Sequence, residues 1–286
     1  MKHYILYNPL AGRGVSEQSL QSLSLMYDES ELVDMTKIES YKDFFASIDK
    51  RDTIIICGGD GTLNRFANDT AEIKIKNDIL YHAVGTGNDF LKDVAPASLD
   101  GTIDIKAYLE GLPTVEIDGK VTKFINGIGY GIDGYCCEVG DKLRAEGKKV
   151  NYTSIAIKGL LFHYKPTNAR VIADGIEYNF RRVWIAPTMN GRYYGGGMMP
   201  APEQVRNSGK LTLMVWHSSG KLKTLMAFPS LFKGEHLKHE NMITLIEGKE
   251  ISVEFDEPRA LQIDGETVLA VKKYTARAEA TSLARV

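Results

Sequence analysis

Three stretches of this chain set glycines beside an acid or an amide just after an apolar run: Asn8-Pro9-Leu10-Ala11-Gly12-Arg13-Gly14, Gly58-Gly59-Asp60-Gly61-Thr62 and Gly85-Thr86-Gly87-Asn88-Asp89. Glycine lets a backbone come close to an anion, and amides at the mouth of a helix can point at one. A lone glycine turn merely reverses the chain. Three at successive strand ends, two of them carrying an aspartate, read as a cradle for phosphates. The Walker A and dinucleotide-binding patterns are both absent.

Three Asp-Gly pairs, Asp118-Gly119, Asp174-Gly175 and Asp264-Gly265, fit two-residue hairpin turns of type I′. The third differs by the Glu266 that follows it. Gly127, Gly129, Gly131 and glycines 195–197 suit either close approach to a ligand or bends in strands. Asn126 lies in an apolar strand pattern, where its amide needs partners. Cys57, Cys136 and Cys137 are odd in number and, with the six histidines, show no zinc-type spacing, so they read as reduced, buried thiols and a structural metal is not expected.

The elements that must hold these groups change character along the chain. Tyr4-Tyr7, Thr53-Cys57 and Ile79-Val84 read as buried strands, Tyr41, Phe44, Phe45 and Ile48 as a helical stripe, and Leu63-Ala71 as a helix. Strand, glycine turn and helix recur as in a Rossmann-like, doubly wound α/β domain, expected over residues 1–113. Residues 114–271 read as a β-rich domain of a β-sandwich kind, with strands at 114–117, 121–125, 170–173, 177–184, 210–215, 250–255, 259–263 and 267–271. Helical interruptions are expected at 154–163 and 222–232. The tail from about 272 to 286 is allowed to return to the first domain. Ile155, Leu160, Leu161, Phe162 and Tyr164 read as core packing, with a membrane-facing stripe as the alternative, and Lys142, Arg144, Lys148 and Lys149 as a solvated charged loop, with contact to anionic lipid headgroups as the alternative.

The formal net charge of -2 excludes broad neutralisation of nucleic-acid phosphates. No apolar run is long enough to span a bilayer, and the short one near the N-terminus lacks a cleavage site, so a cytoplasmic location is expected. Edge strands of the β-rich domain offer a homodimer contact.

In order and spacing, NPLAGRG, GGDGTLN and GTGNDF resemble the nucleotide-binding motifs of the diacylglycerol kinase catalytic domain family, which includes sphingosine, ceramide and bacterial lipid kinases. FINGIGYGID, GGGMMPAP and Ile263-Asp264-Gly265-Glu266 are similar to that family's second-domain motifs. The resemblance covers nearly the whole chain. It implies an α/β domain facing a β-sandwich, with ATP and a lipid alcohol meeting in the cleft at a membrane surface. It puts Asn8, Gly12, Gly59, Gly61, Thr62, Thr86 and Asn88 around the nucleotide, Asp60 and Asp89 by its phosphates and Mg²⁺, and Glu266 as general base. NAD kinase, which shares GGDGT, and a non-catalytic nucleotide-binding regulator are the alternatives.

Two departures stand out. Arg65 occupies a place where the family usually has a glutamate. Ser208-Gly209-Lys210-Leu211-Thr212 lacks both acids of a stretch that in many bacterial members holds a structural Mg²⁺, so that second site is expected to be absent or remade.

Overall fold

Ile54, Ile55, Ile56 and Cys57 are wholly buried in the computed structural model, which describes residues 1–10, 15–84, 88–95 and 101–279. A strand apolar on both faces needs a cover on each side, and helices supply it. The chain divides into two compact units, Met1–Glu110 and Gly111–Val286.

In the first unit the elements run β1 (His3–Tyr7), α1 (Glu17–Ser24), β2 (Ser30–Asp34), α2 (Tyr41–Ser47), β3 (Thr53–Gly58), α3 (Asp60–Asp69), β4 (Asp78–Ala83), α4 (Asp89–Val94), β5 (Thr102–Asp104) and α5 (Lys106–Leu109). The sheet order is β2-β1-β3-β4-β5; the first four strands are parallel, and β5 is antiparallel to β4. From β1 the chain moves outward to β2, then returns to the opposite side as β3. Such a switch point leaves a crevice beyond the carboxyl ends of the two central strands, where Asn8 and Gly59 stand.

The second unit contains β6 (Thr114–Ile117), β7 (Lys120–Lys123), β8 (Gly127–Tyr130), α6 (Ile132–Ala145), α7 (Tyr152–Lys158), β9 (Thr167–Ala173), β10 (Ile176–Val183), β11 (Thr188–Met189), β12 (Leu211–Trp216), α8 (Lys221–Ala227), β13 (Ile243–Gly248), β14 (Glu250–Ile263) and β15 (Glu266–Arg277). Its strands form one large sandwich-like sheet, β13-β12-β11-β8-β14-β15-β6-β7, joined by the β9–β10 hairpin. β14 holds it together: its first half pairs with β9, its second with β8, and its register against β15 shifts between Glu254 and Arg259. Val115, Tyr130, Val171, Val253, Phe255 and Leu261 belong to the core this bend encloses.

Several elements differ from the sequence expectation. Residues 250–255 and 259–263 form one bent strand, because a bulge accommodates Pro258 without ending the pairing. β13 and α6 were not anticipated. Two glycines hide α6 from propensity, and both allow close packing: a Cβ on Gly134 would lie 1.9 Å from the Ala260 carbonyl oxygen, and one on Gly140 2.9 Å from the Tyr152 ring. Lys142 and Arg144 therefore lie on a helix, paired with Glu138 and Asp141. Residues 272–277 are the end of β15, paired with β6 and β14 in the second sheet.

Candidate active site

α3 starts directly on the GGDGT stretch. Asp60, Gly61 and Thr62 form its first turn, three residues earlier than the apolar stripe suggests, and Gly59 caps it without a side-chain hydrogen bond. The positive end of the α3 dipole is thus left to whatever approaches it. Packing explains the glycine before it: a Cβ on Gly58 would lie 2.5 Å from the Thr62 hydroxyl, and Thr62 is itself buried. Among the described residues, a Cβ on Gly61 would meet nothing within 4 Å.

Asp60 ties this turn to the next strand end. Its carboxylate accepts from the amide of Asp89 at 2.8 Å and from that of Phe90 at 3.2 Å, so it caps α4 from a distance in sequence. Asp89 opens α4 and is 4% exposed. A Cβ on Gly59 would stand 4.0 Å from Asn88 Oδ1, which puts the two glycine-rich ends side by side. Asn8 is buried and its Oδ1 accepts from the Leu10 amide at 3.0 Å, shaping the turn after β1. Gly12 and Thr86 lie outside the described residues. Arg65 faces solvent and pairs with Asp69 at 3.4 Å, one turn along α3.

In the second unit, the Asp264-Gly265 turn has left-handed φ values of 47° and 95°, as a type I′ hairpin requires. The aspartate does more than turn the chain. Its carboxylate accepts from three successive amides, those of Ile125, Asn126 (2.8 Å) and Gly127 (3.0 Å). On the other side of that segment, Arg206 donates to the Ile125 carbonyl and to Asn126 Oδ1 (2.9 Å). Asn126 thus has its partners in a bend between β7 and β8, not within a strand. Glu266 begins β15, directly after this clamped turn, and is exposed.

Two residues of this region escaped the sequence reading. Gln262 Nε2 donates to Asp133 Oδ2 at 2.9 Å, while its Oε1 accepts from the Gly265 amide at 2.6 Å. Asp133 is buried in the first turn of α6, and burial pushes its carboxyl up to about 6 against the pull of the Gln262 amide. Its signal was an acid flanked by isoleucine and glycines, where a charge needs a donor. Beside the stretch lacking the second-metal acids, Gln204 Nε2 is shared among the carbonyls of Asn190, Val205 and Lys210, and its Oε1 accepts from the Thr212 hydroxyl at 2.6 Å. Among the described residues, no group of three or more His, Cys, Asp or Glu side chains is placed to hold a metal by itself.

Comparison with known families decides what this arrangement is. The diacylglycerol kinase catalytic domain matches residues 2–123, and the C-terminal NAD kinase beta sandwich-like domain of the YegS type matches residues 126–282. The chain belongs to the bacterial lipid/diacylglycerol kinase-like family that joins these two domains. Its first unit is therefore the catalytic α/β domain of an ATP-dependent, lipid-kinase-like enzyme, and its second the sandwich that accompanies it. The kinase is 25% identical over 252 residues to a diacylglycerol kinase of Mycobacterium tuberculosis, covering 84% of this chain and 81% of that protein. It is 27% identical over 274 residues to a probable lipid kinase, YegS-like, of Klebsiella pneumoniae, covering 90% and 87%. The crystal structure of a diacylglycerol kinase from Bacillus anthracis shares the fold, with a TM-score of 0.61 at 20% identity over 97% of this chain and 94% of that one. No helix among the described residues is long and apolar enough to cross a membrane.

Proposed function

We propose that this kinase transfers the γ-phosphate of ATP to a hydroxyl of a diacylglycerol-like or other lipid alcohol. The observation that carries the reading is the start of α3 at a topological switch point: its cap Gly59 makes no side-chain hydrogen bond, a Cβ on Gly61 would meet none of the described residues within 4 Å, and the Asp60 carboxylate accepts from the Asp89 amide beside it. Phosphates take the helix amides, and carboxylates suit a hard divalent cation. Asp60 and Asp89 would hold Mg²⁺ together with phosphate oxygens. Bound there, the cation supplies neutralisation of the charge that builds on those oxygens.

Glu266 takes the general-base role. Its carboxylate accepts the proton of the lipid hydroxyl as that oxygen bonds to the γ-phosphorus; the bond from this phosphorus to the β–γ bridging oxygen breaks, and ADP leaves. Asp264 and Gln262 support the role by fixing the turn from which Glu266 projects. Asn8, Gly12, Gly59, Gly61, Thr62, Thr86 and Asn88 line the nucleotide in this reading.

The test is phosphate transfer from labelled ATP, with Mg²⁺, to a total lipid extract, followed by mass spectrometry of the product. A phosphorylated lipid alcohol is expected. Formation of NADP from NAD instead, or ATP binding without transfer to any lipid, would overturn the proposal.

A further inference from the structure

Residues 148–165 and 221–233 together hold seven lysines and no aspartate or glutamate, in a chain where Asp and Glu (37) outnumber Lys and Arg (35). The structure brings the two segments together. α7 with the helical turn Gly159–His163, and α8 with the turn Phe228–Lys233, bury Ile155, Leu160, Ala227 and Leu231 in one cluster. Lys221 Nζ reaches across to the Leu161 carbonyl at 3.1 Å.

The opposite side of this pair is the unusual one. Ile157, Phe162, Leu222 and Met226 are 41%, 73%, 66% and 68% exposed. Each side chain in that position leaves a large apolar surface in water, and clusters of them mark contact sites. Lys149, Lys158, Lys165, Lys223 and Lys233 lie on the same two segments, all exposed and, among the described residues, in no ion pair. The basic residues on α6 are different: Lys142 and Arg144 are both paired with acids.

We propose that the outer face of α7 and α8 docks this enzyme on an anionic lipid bilayer. Phe162, Leu222 and Met226 enter the boundary between headgroups and acyl chains, and the lysines lie against lipid phosphates. Exposed apolar residues interspersed with unpaired lysines are the composition of segments that lie in that interface. Charge argues against a second copy of the chain as occupant, since a two-fold contact would press lysines on lysines. The docking is placed in context by the lipid-kinase reading, but its evidence is this surface alone.

The test is sedimentation of the full chain with vesicles of phosphatidylcholine and with vesicles in which about a third of the lipid is phosphatidylglycerol, at low and raised salt. Binding to the anionic vesicles that weakens with salt is expected. Removing one lysine should weaken it roughly fivefold, so Lys158→Glu/Lys223→Glu/Lys233→Glu should cost on the order of 100-fold or more. Phe162→Ser/Leu222→Ser/Met226→Ser should also weaken it. Thermal midpoints and ATP binding should stay unchanged in both variants, because the altered side chains face outward. The proposal fails if the wild-type chain ignores anionic vesicles, or if the charge variant binds them as well as wild type does. It also fails if the substitutions abolish self-association in ultracentrifugation and leave vesicle binding intact. Sedimentation needs no turnover, so a chain that docks without transferring phosphate fails the kinase reading alone, and one that transfers phosphate in detergent without docking fails this proposal alone.

Discussion

Asp60 and Asp264 each precede a glycine, and each turns its carboxylate onto backbone amides far away in sequence. Around Asp264 the polar groups close on one another: Gln262 bridges Asp133 and Gly265, and Arg206 holds the far side of the 125–127 segment. Asp60 sits instead at the start of a helix. The same aspartate fixes α4, yet α3 begins beside it without a side-chain cap and, among the described residues, with nothing within 4 Å of a Cβ on Gly61. The difference follows from what each turn leads into. A hairpin turn pairs its strands at once, whereas a turn that starts a helix leaves amides pointing outward. One aspartate therefore builds a support and the other an opening.

Glu266 offers the sharpest way to break this comparison, because it stands on the closed side and is assigned the chemistry. Glu266→Gln should lower kcat by about 10²- to 10⁴-fold. Its exposure predicts an unchanged thermal midpoint and unchanged ATP affinity by calorimetry. Activity within threefold of wild type would remove it from the mechanism. Asp264→Ala comes next, since three amides lose their acceptor at once. With roughly 1–3 kcal/mol for each unsatisfied group and part of the loss recovered by water, a drop of about 3 kcal/mol in unfolding free energy is expected. Urea melts check it. A loss below about 1 kcal/mol would mean the clamp adds little.

Asp133 is the costliest member of the closed network. Burial raises its carboxyl to about 6, so the folded state holds a proton that the unfolded chain has already released. Its contribution to stability is complete below pH 4 and is lost as pH rises through about 6. A rise of about two units corresponds to roughly 2–3 kcal/mol. In Asp133→Asn, which keeps an acceptor for Gln262, that decline should vanish. Melts of the two proteins between pH 4 and 7 should diverge; parallel curves would show that Asp133 is charged throughout.

Much of this architecture was legible in the sequence. An apolar run from Ile54 to Cys57 ending in glycines could hardly be anything but a central parallel strand, and the strand-turn-helix rhythm around it gave the first unit. The motifs also placed Asp60 and Asp89 at neighbouring strand ends, and the structure joins them through a hydrogen bond. What stayed hidden has physical causes. Gly134 and Gly140 weaken the helical signal of α6 because they serve packing against Ala260 and Tyr152. Asp264 looked like an ordinary turn residue because its partners lie some 140 positions earlier, beyond any local pattern. The 155–164 stripe reads as core, and Ile155, Leu160 and Tyr164 are, yet Phe162 turns outward, where the helix gives way to a wider π-type turn closed by the Tyr164 amide on the Gly159 carbonyl.

The open side gives the smallest effect and the most direct comparison of stability with function. Gly61 sits in the first turn of α3 with helical backbone, and a methyl there would touch none of the described residues. Gly61→Ala should leave the free protein as stable as before or raise its stability by up to about 1 kcal/mol, because alanine favours a helix over glycine. If phosphates lie against these amides, the methyl stands in their way, and ATP should bind about tenfold more weakly, a change of about 1.4 kcal/mol. Stability and affinity would then move in opposite directions at one residue, which a purely structural glycine cannot do. Thermal melts with and without ATP measure both. Equal ATP affinity in the two proteins would move the phosphates away from the α3 N-terminus and leave Asp60 as no more than the cap of α4.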